Sequence, residues 1–333
     1  MIGGEAAYSS VAIVQTPRSS IVGNLPAVMS KIDMRTGMGC ETKTKDEQPD
    51  SNCRPAKTME QNMCPRLYAM TCGWLTMPYR LFLSGSAGWL VIPVPSYLIV
   101  HPKGTALFDT GLETGLQSLD PEEVKRTLGK FEPLVKPEYK AGEDVAERLK
   151  AFGVDPEKID FLINSHLHFD HCGGNELIKN ARLVLQKREW IAATTPETIE
   201  ENSYLTRQYD LGHDKLLVDG EHDLFGDGSV ILIPTHGHTP GHQSLKVKLQ
   251  DGEIILSADA CYLRQALEKM VLPEPAFVRD ETAMLECFRR LQKYQNYGVL
   301  LVFGHDPEQW KQLNSGPMRE LTYATVAAAA RGA

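Results

Sequence analysis

The stretch Ser165-His166-Leu167-His168-Phe169-Asp170-His171 decides the reading of this chain. Four side chains able to bind a metal fall within six residues, in the order His-x-His-x-Asp-His. His166, His168 and Asp170 alternate, so an extended segment would turn all three to one side while His171 faces elsewhere. One compact cation rarely draws four ligands from so short a segment, whereas two neighbouring cations could share them. The spacing therefore predicts a two-metal hydrolytic centre. A lone histidine is usually a surface or core residue. Four ligand-type residues here, between the strand-like run Ile159–Asn164 and Gly173-Gly174, are much harder to explain structurally.

Further ligands should then lie elsewhere in the chain. Thr235-His236-Gly237-His238-Thr239-Pro240-Gly241-His242 follows the strand-like Val230–Pro234. His238 sits in Gly-His-Thr-Pro-Gly, where glycine lets the backbone turn tightly toward a metal. His236 and His242 stay open between supporting and purely structural roles. Asp259 follows the strand-like Glu253–Ser257, and a carboxylate can bridge two cations where a neutral imidazole cannot. His305 follows Val299–Phe303. An isolated Asp or His at a strand end is a weak signal, but with His166–His171 these form a consistent set. All lie where a strand gives way to a loop, the usual seat of chemistry on a sheet scaffold.

With 333 residues, 42% hydrophobic and 23% charged, the chain has the composition of a soluble globular protein with a sizeable core. A formal charge of −8 without a lysine/arginine cluster argues against nucleic acid as a partner. Seven irregularly spaced cysteines contain no CxxC pair, and free thiols in a reducing, cytoplasmic compartment are expected. The start, Met1-Ile2-Gly3-Gly4-Glu5, does not read as a secretory signal. The longest apolar run, near Trp89–Val94, is interrupted by proline and too short to span a bilayer, so no membrane association is expected.

Residues 1–66 are rich in small polar residues, and Glu41–Pro55 is densely polar and charged. This predicts an N-terminal extension that is partly irregular. It could also lie over the core or over a partner subunit, which keeps a homodimer among the expected partners. From Leu67 the pattern changes. Leu67–Leu75 and Tyr79–Leu83 read as strands, and Ser96–Val100 with Thr105–Phe108 reads as a hairpin ending in Asp109-Thr110-Gly111. Pro121–Thr127, Ala141–Phe152 (closed by Gly153) and Glu281–Tyr297 read as helices, and Glu197–Asp210 as a poorly determined one. Ala181–Gln186, Leu216–Val218 and Ser244–Leu249 read as further strands, the last turning at Gln250-Asp251-Gly252. Residues 67–313 make the predicted hydrolase domain and 314–333 a tail, whose Ala327–Ala330 is expected to fray. A layered α/β architecture, helices covering sheets, follows.

The order His166-x-His168-x-Asp170-His171, then His238, Asp259 and His305, resembles the ligand order of the metallo-β-lactamase superfamily over roughly residues 67–313. The resemblance implies an αββα sandwich with the site at one edge. It also implies that Asp109 in Phe108-Asp109-Thr110-Gly111 supports the ligand loops. More narrowly, Ser165–Asn175, Thr239–Leu245, Asp259–Tyr262 and Phe303–Asp306 look like N-acyl-homoserine lactone lactonases. In that group a tyrosine three residues past the bridging aspartate touches the substrate carbonyl, the position of Tyr262 here. Two departures stand out. Thr235-His236-Gly237-His238 replaces the usual Thr-Pro-Gly-His, and the N-terminal extension has no counterpart.

By this resemblance His166, His168 and His238 hold one metal, Asp170, His171 and His305 the other, and Asp259 bridges them. Nitrogen and oxygen ligands suit two zinc ions, with iron, manganese or cobalt as alternatives. The expected function is quorum quenching by opening of the lactone ring. Hydroxide generated between the metals would attack the carbonyl, Tyr262 would stabilise the oxyanion, and Asp170 would carry a proton to the leaving oxygen. Phe169, Trp89 and Met77 are candidates for an acyl channel. Cys261 and Cys172 read as buried thiols. The alternatives are hydrolysis of another lactone, ester or thioester on the same metals, because fold and metals do not set the substrate, or a mononuclear iron oxygenase.

Overall fold

The computed structural model describes residues 64–314 and 316–331. The expected extension lies outside the described residues except for its last three, and Arg66 already opens the first strand. The first sheet comprises β1 (Arg66–Pro78), β2 (Trp89–His101), β3 (Gly104–Phe108), β4 (Lys136–Glu138), β5 (Phe161–Ile163), β6 (Arg182–Gln186) and β7 (Lys215–Val218). The second comprises β8 (His222–Asp223), β9 (Val230–Pro234), β10 (Gln243–Leu249), β11 (Gly252–Leu256) and β12 (Leu300–Val302), while β13 (Met318–Leu321) returns to the first. Strand order is β13-β1-β2-β3-β5-β6-β7, with β4 also on β1, and β12-β11-β10-β9-β8. β1, β2 and β3 pair antiparallel, whereas β3, β5, β6 and β7 run parallel.

Side-chain alternation with period two explains why the sheets stack. Leu67 and Ala69 of β1, Ala106 and Phe108 of β3, and Val184 of β6 join Val230, Leu232, Leu245, Val247, Ile254 and Leu256 in one cluster between the sheets. Their neighbours Tyr68, Met70, Leu107, Leu183 and Leu185 point the other way, onto Val145, Leu149, Ala192 and Ala193. On the far side of the second sheet, Ile233, Ile255 and Leu301 pack on Met284, Phe288 and Leu291. Each sheet is thus apolar on both faces, and helices must cover the outer ones. The result is the αββα sandwich.

Helix ends follow their local chemistry. The Asp144 carboxylate accepts from the Glu147 N–H and starts Val145–Ala151, four residues later than expected. Gly153 closes it with φ 81°. Asp280 likewise caps Glu281–Asn296. Gly73, at φ 112°, sits in the irregularity of β1 between Thr71 and Trp74, a backbone turn that disfavours a side chain.

Three expectations are corrected. Tyr79–Leu83 is not a strand. β1 runs through Pro78, and Tyr79–Leu81 then forms one 3₁₀ turn in which the Phe82 and Leu83 N–H groups both close on the Tyr79 carbonyl instead of on a neighbouring strand. The helix expected over Glu197–Asp210 stops at Glu201, and Ser203 then takes a positive φ of 62°. Within the expected tail, β13 pairs with β1 (Leu67 opposite Leu321), and the helix Tyr323–Arg331 buries Val326 and Ala329. Arg264 donates to the carbonyls of Ala329 and Ala330, holding the helix end that was expected to fray.

Candidate metal centre

The predicted ligands meet at the ends of strands from both sheets. His166 and His168 follow β5, and Asp170 and His171 lie in the short helix Phe169–Cys172. His238 lies between β9 and β10, Asp259 just after β11, and His305 just after β12. The structure brings all seven together in two groups. Ligand atoms of His166, His168, His238 and Asp259 lie within 4.8 Å of one another, and so do those of Asp170, His171 and His305.

Asp259 faces both groups. Its Oδ2 is 3.3 Å from His238 Nε2 and 3.7 Å from His166 Nε2. Its Oδ1 is 3.2 Å from His171 Nε2 and 3.1 Å from His305 Nε2. Asp170 Oδ2 stands 3.7 Å from both of the latter nitrogens. In the first group His166 Nε2, His168 Nδ1 and His238 Nε2 are 2.9–3.2 Å apart.

The outward ring nitrogens determine what the inward ones can do. His168 Nε2 donates to the Asn202 carbonyl at 2.8 Å, His238 Nδ1 to the Phe277 carbonyl at 2.9 Å, and His305 Nδ1 to the Pro93 carbonyl at 2.9 Å. His171 Nδ1 donates to Asp109 Oδ2 at 2.9 Å. A neutral imidazole that donates outward must present a lone pair inward. Inward lone pairs crowded at 3 Å cannot all bond one another, but they can share a cation. His171 Nε2 and Asp259 Oδ1 are buried without a hydrogen bond, as cation ligands would be. Three nitrogens with a carboxylate, and two nitrogens with two carboxylates, suit zinc and its neighbours.

Charge supports the same fit. Burial, with nearby imidazoles, holds His166 and His238 well below the usual histidine range, and burial holds His168 at about 4. For His171 and His305 burial opposes charge, yet Asp259 with Asp170 outweighs it and raises both. The second group therefore demands positive charge that a cation could supply in place of protons.

Residues outside the ligand set fix its geometry. Asp109, 2% exposed and at φ 59°, accepts from the Ser165 N–H at 2.7 Å, the Ser165 hydroxyl at 2.8 Å and His171. Such strain in a non-glycine residue belongs to sites the surroundings over-determine. Ala258, at φ 45°, aims Asp259, and Gly304 leaves room for the Ala258 carbonyl, against which a Cβ would collide. His242, open in the sequence reading, is a support: its Nε2 accepts the Asp259 N–H at 3.1 Å. Burial keeps it neutral, near 3, as that role requires. Its Nδ1 then donates to Thr235 Oγ1, which donates to Ser244 Oγ, which donates to the Ser257 carbonyl. His236 does not join the cluster; burial lowers its pKa, and the charges that act on it are Arg188, Arg290 and Asp219, away from the cluster. Glu189, absent from the sequence reading, lies fully buried between the ligand loops and accepts four hydrogen bonds.

A cavity of about 260 Å³ opens over the two groups. Met77, Phe82, Phe131, Leu134, Phe169 and Phe277 supply its apolar wall, and Asp170, Asp259, His305 and Tyr262 its polar floor. Phe131 stacks on Phe169 at 4.9 Å. Met77 and Phe169 are thus where the channel reading expects them, but Trp89 is not. It is 51% exposed beneath the Lys136 ammonium and does not line the cavity. Tyr262 Oη lies 2.9 Å from His238 Nδ1. That N–H already reaches the Phe277 carbonyl and can be shared, which leaves the phenol proton free. Burial, with Asp259 and Asp170, keeps the phenol protonated far above neutral pH. Cys261 and Cys172 are fully buried thiols, as expected.

The chain matches the family model of the metallo-beta-lactamase superfamily over residues 89–305. It is 31% identical over 264 residues to the N-acyl homoserine lactonase AttM of Azorhizobium caulinodans, covering 76% of this chain and 97% of that protein. It is 31% identical over 235 residues to the N-acyl homoserine lactonase AiiA of Bacillus thuringiensis subsp. kurstaki, covering 68% and 87%. Among solved structures it is similar to an N-acyl homoserine lactone hydrolase with the product N-hexanoyl-L-homoserine bound at the catalytic metal center. The TM-score is 0.66 at 27% identity, over 78% of this chain and 100% of that one.

Proposed function

Because the chain belongs to the metallo-β-lactamase superfamily, we propose that it is a dinuclear-metal hydrolase that opens the ring of N-acyl-homoserine lactones and so quenches quorum signals. The observation that carries this reading is the divided carboxylate of Asp259, one oxygen toward each nitrogen group, on the floor of an apolar cavity. His166, His168 and His238 would hold one cation, Asp170, His171 and His305 the other, with Asp259 shared. Zinc is the cation of choice, iron, manganese and cobalt being chemically admissible. Such a pair, when bound, lowers the pKa of water toward neutrality and polarises an ester carbonyl.

The chain's own residues do the rest. The apolar wall holds the acyl chain and excludes water from the floor, which strengthens every charge interaction there. Tyr262, held as a phenol, donates a hydrogen bond to the carbonyl oxygen as negative charge develops on it. Asp170, on the cavity floor, takes the proton that the attacking water loses and passes it to the ring oxygen as the carbon–oxygen bond breaks. Hydrolysis adds one water across that bond and leaves an N-acyl-homoserine. No described helix is long and apolar enough to cross a membrane. The free described cysteines support a reducing, cytoplasmic setting.

The test is turnover by zinc-loaded protein of N-hexanoyl- and N-decanoyl-homoserine lactones beside simple esters and thioesters. Lactone opening should exceed the others by at least an order of magnitude in kcat/KM. Faster thioester or simple-ester cleavage would reassign the substrate, and no measurable opening of either lactone by zinc-loaded protein would remove the reading.

A further inference from the structure

Glu189 is a fully buried carboxylate that the chemistry above does not use, and its four partners are distributed in a telling way. Its Oε1 accepts from the Leu167 N–H at 3.0 Å and from the Tyr204 hydroxyl at 2.8 Å. Its Oε2 accepts from the Thr239 hydroxyl at 2.8 Å and from the Gly241 N–H at 2.9 Å. Leu167 lies between His166 and His168, and Thr239 follows His238. Tyr204 lies two residues beyond Asn202, whose carbonyl receives His168 Nε2–H. One side chain thus grips three segments: the two that carry the first-group histidines, and the one that orients His168. Glu189 makes no bond to the second group, in which Asp109 holds His171 directly and the Pro93 carbonyl holds His305; Asp109 reaches the first group only through Ser165 Oγ, 3.0 Å from His166 Nδ1. The approach at Glu189 is close enough that a Cβ at Gly241 would collide with the Glu189 backbone.

We propose that Glu189 is the positioning residue of the His166–His168–His238 group and selectively governs retention of the cation held there. This rests on the two-cation reading above. The carboxylate is suited to the task because it is acceptor-only, with both oxygens receiving two donors. Glutamine keeps the shape but must aim an NH₂ at either the Leu167 or the Gly241 backbone N–H, neither of which can reverse its role. The nominally conservative change therefore pushes one ligand loop away from the other, and the three imidazoles lose their common point.

The test is a zinc-retention measurement on wild type and Glu189→Gln. Each is loaded with zinc and equilibrated against buffers of graded free zinc, and bound zinc per chain is counted. Wild type should hold two equivalents. In Glu189→Gln one equivalent should release at about 10-fold higher free zinc, the lower end of the effect of groups that support metal ligands. The other should keep its wild-type affinity. Tyr204→Phe, which removes one donor and leaves the carboxylate, should weaken the same equivalent by less. Asp109→Asn, which removes the direct bond to His171, should weaken the other equivalent more than this one, and the double variant with Glu189→Gln should weaken both. Two equivalents of unchanged affinity in Glu189→Gln, or equal weakening of both, would overturn the proposal whatever the melting temperature. Fewer than two equivalents in wild type would overturn the two-cation reading and this inference with it.

Discussion

Replacing Asp109 by Asn should strip the cation from the Asp170–His171–His305 group, and the structure allows the effect to be sized. The residue is 2% exposed and accepts three hydrogen bonds, two from Ser165 and one from His171. Its φ of 59° lies in a region that Asn tolerates, so the backbone is not the cause of any loss. The amide has one oxygen and one NH₂ for two demanding neighbours. If the NH₂ faces the Ser165 N–H, a buried donor is left unsatisfied, at about 1–3 kcal/mol. If it faces His171, Nδ1 must become an acceptor and its proton moves to Nε2, the atom aimed at Asp259 Oδ1. That nitrogen can then no longer bind a cation. In either orientation the bond from His171 to a charged partner is also lost, a contribution of about 1.5–3 kcal/mol. A net penalty of about 3 kcal/mol corresponds to roughly 100-fold weaker binding of that cation. The assay is zinc per chain after dialysis, beside kcat on N-hexanoyl-homoserine lactone. Asp109→Ala should do worse, adding a left-handed backbone penalty of about 1–2 kcal/mol that shows as a lower Tm. A variant Asp109→Asn with two zincs and undiminished turnover would refute this reasoning.

Asp259→Asn presents its amide oxygen to only one of the two groups, so bound zinc should fall to one equivalent or fewer and lactone turnover should nearly vanish. Full metal content at full rate would contradict the shared-ligand role. Tyr262→Phe removes a hydroxyl from the cavity floor, and kcat/KM for lactones should drop about 10- to 100-fold, the value of a hydrogen bond to developing charge, with zinc content unchanged. An unaltered rate would reduce Tyr262 to packing against Phe82. In Gly304→Ala the new methyl group must displace the Ala258–Asp259 turn, at a cost of about 1–3 kcal/mol, so thermal melting should fall and zinc retention with it. An unchanged Tm would show that this turn is softer than its packing implies.

The convergence of the seven side chains was legible in the sequence because such residue types are rare in such density and each sits where a strand runs out. The two-sheet core was legible where alternation was clear, as at Leu67–Met70 and Ala106–Phe108. Glu189 was not legible. It follows Lys187 and Arg188 on a short helix and reads locally as one more solvated charge, and its partners come from 22, 15, 50 and 52 residues away. His242 was undecided for a related reason, since its task is to hold a backbone N–H that no spacing reveals. Tyr79–Leu83 looks like a strand because its residues are mostly apolar and aromatic, but the local bonds from the Phe82 and Leu83 N–H groups to the Tyr79 carbonyl that make it a turn leave no mark in composition. The C-terminal helix was underrated for its alanine content, yet Val326 and Ala329, three residues apart, were the available sign of a buried stripe.

The central claim is that seven side chains converge on two cations and that lactone opening requires both. Stepwise addition of zinc to metal-free protein, with proton release from N-hexanoyl-homoserine lactone followed at each step, tests it most directly. The account predicts saturation at two zincs per chain, with turnover rising as the second equivalent enters. Saturation at one zinc with full activity, or lactone opening by the metal-free chain, would contradict it.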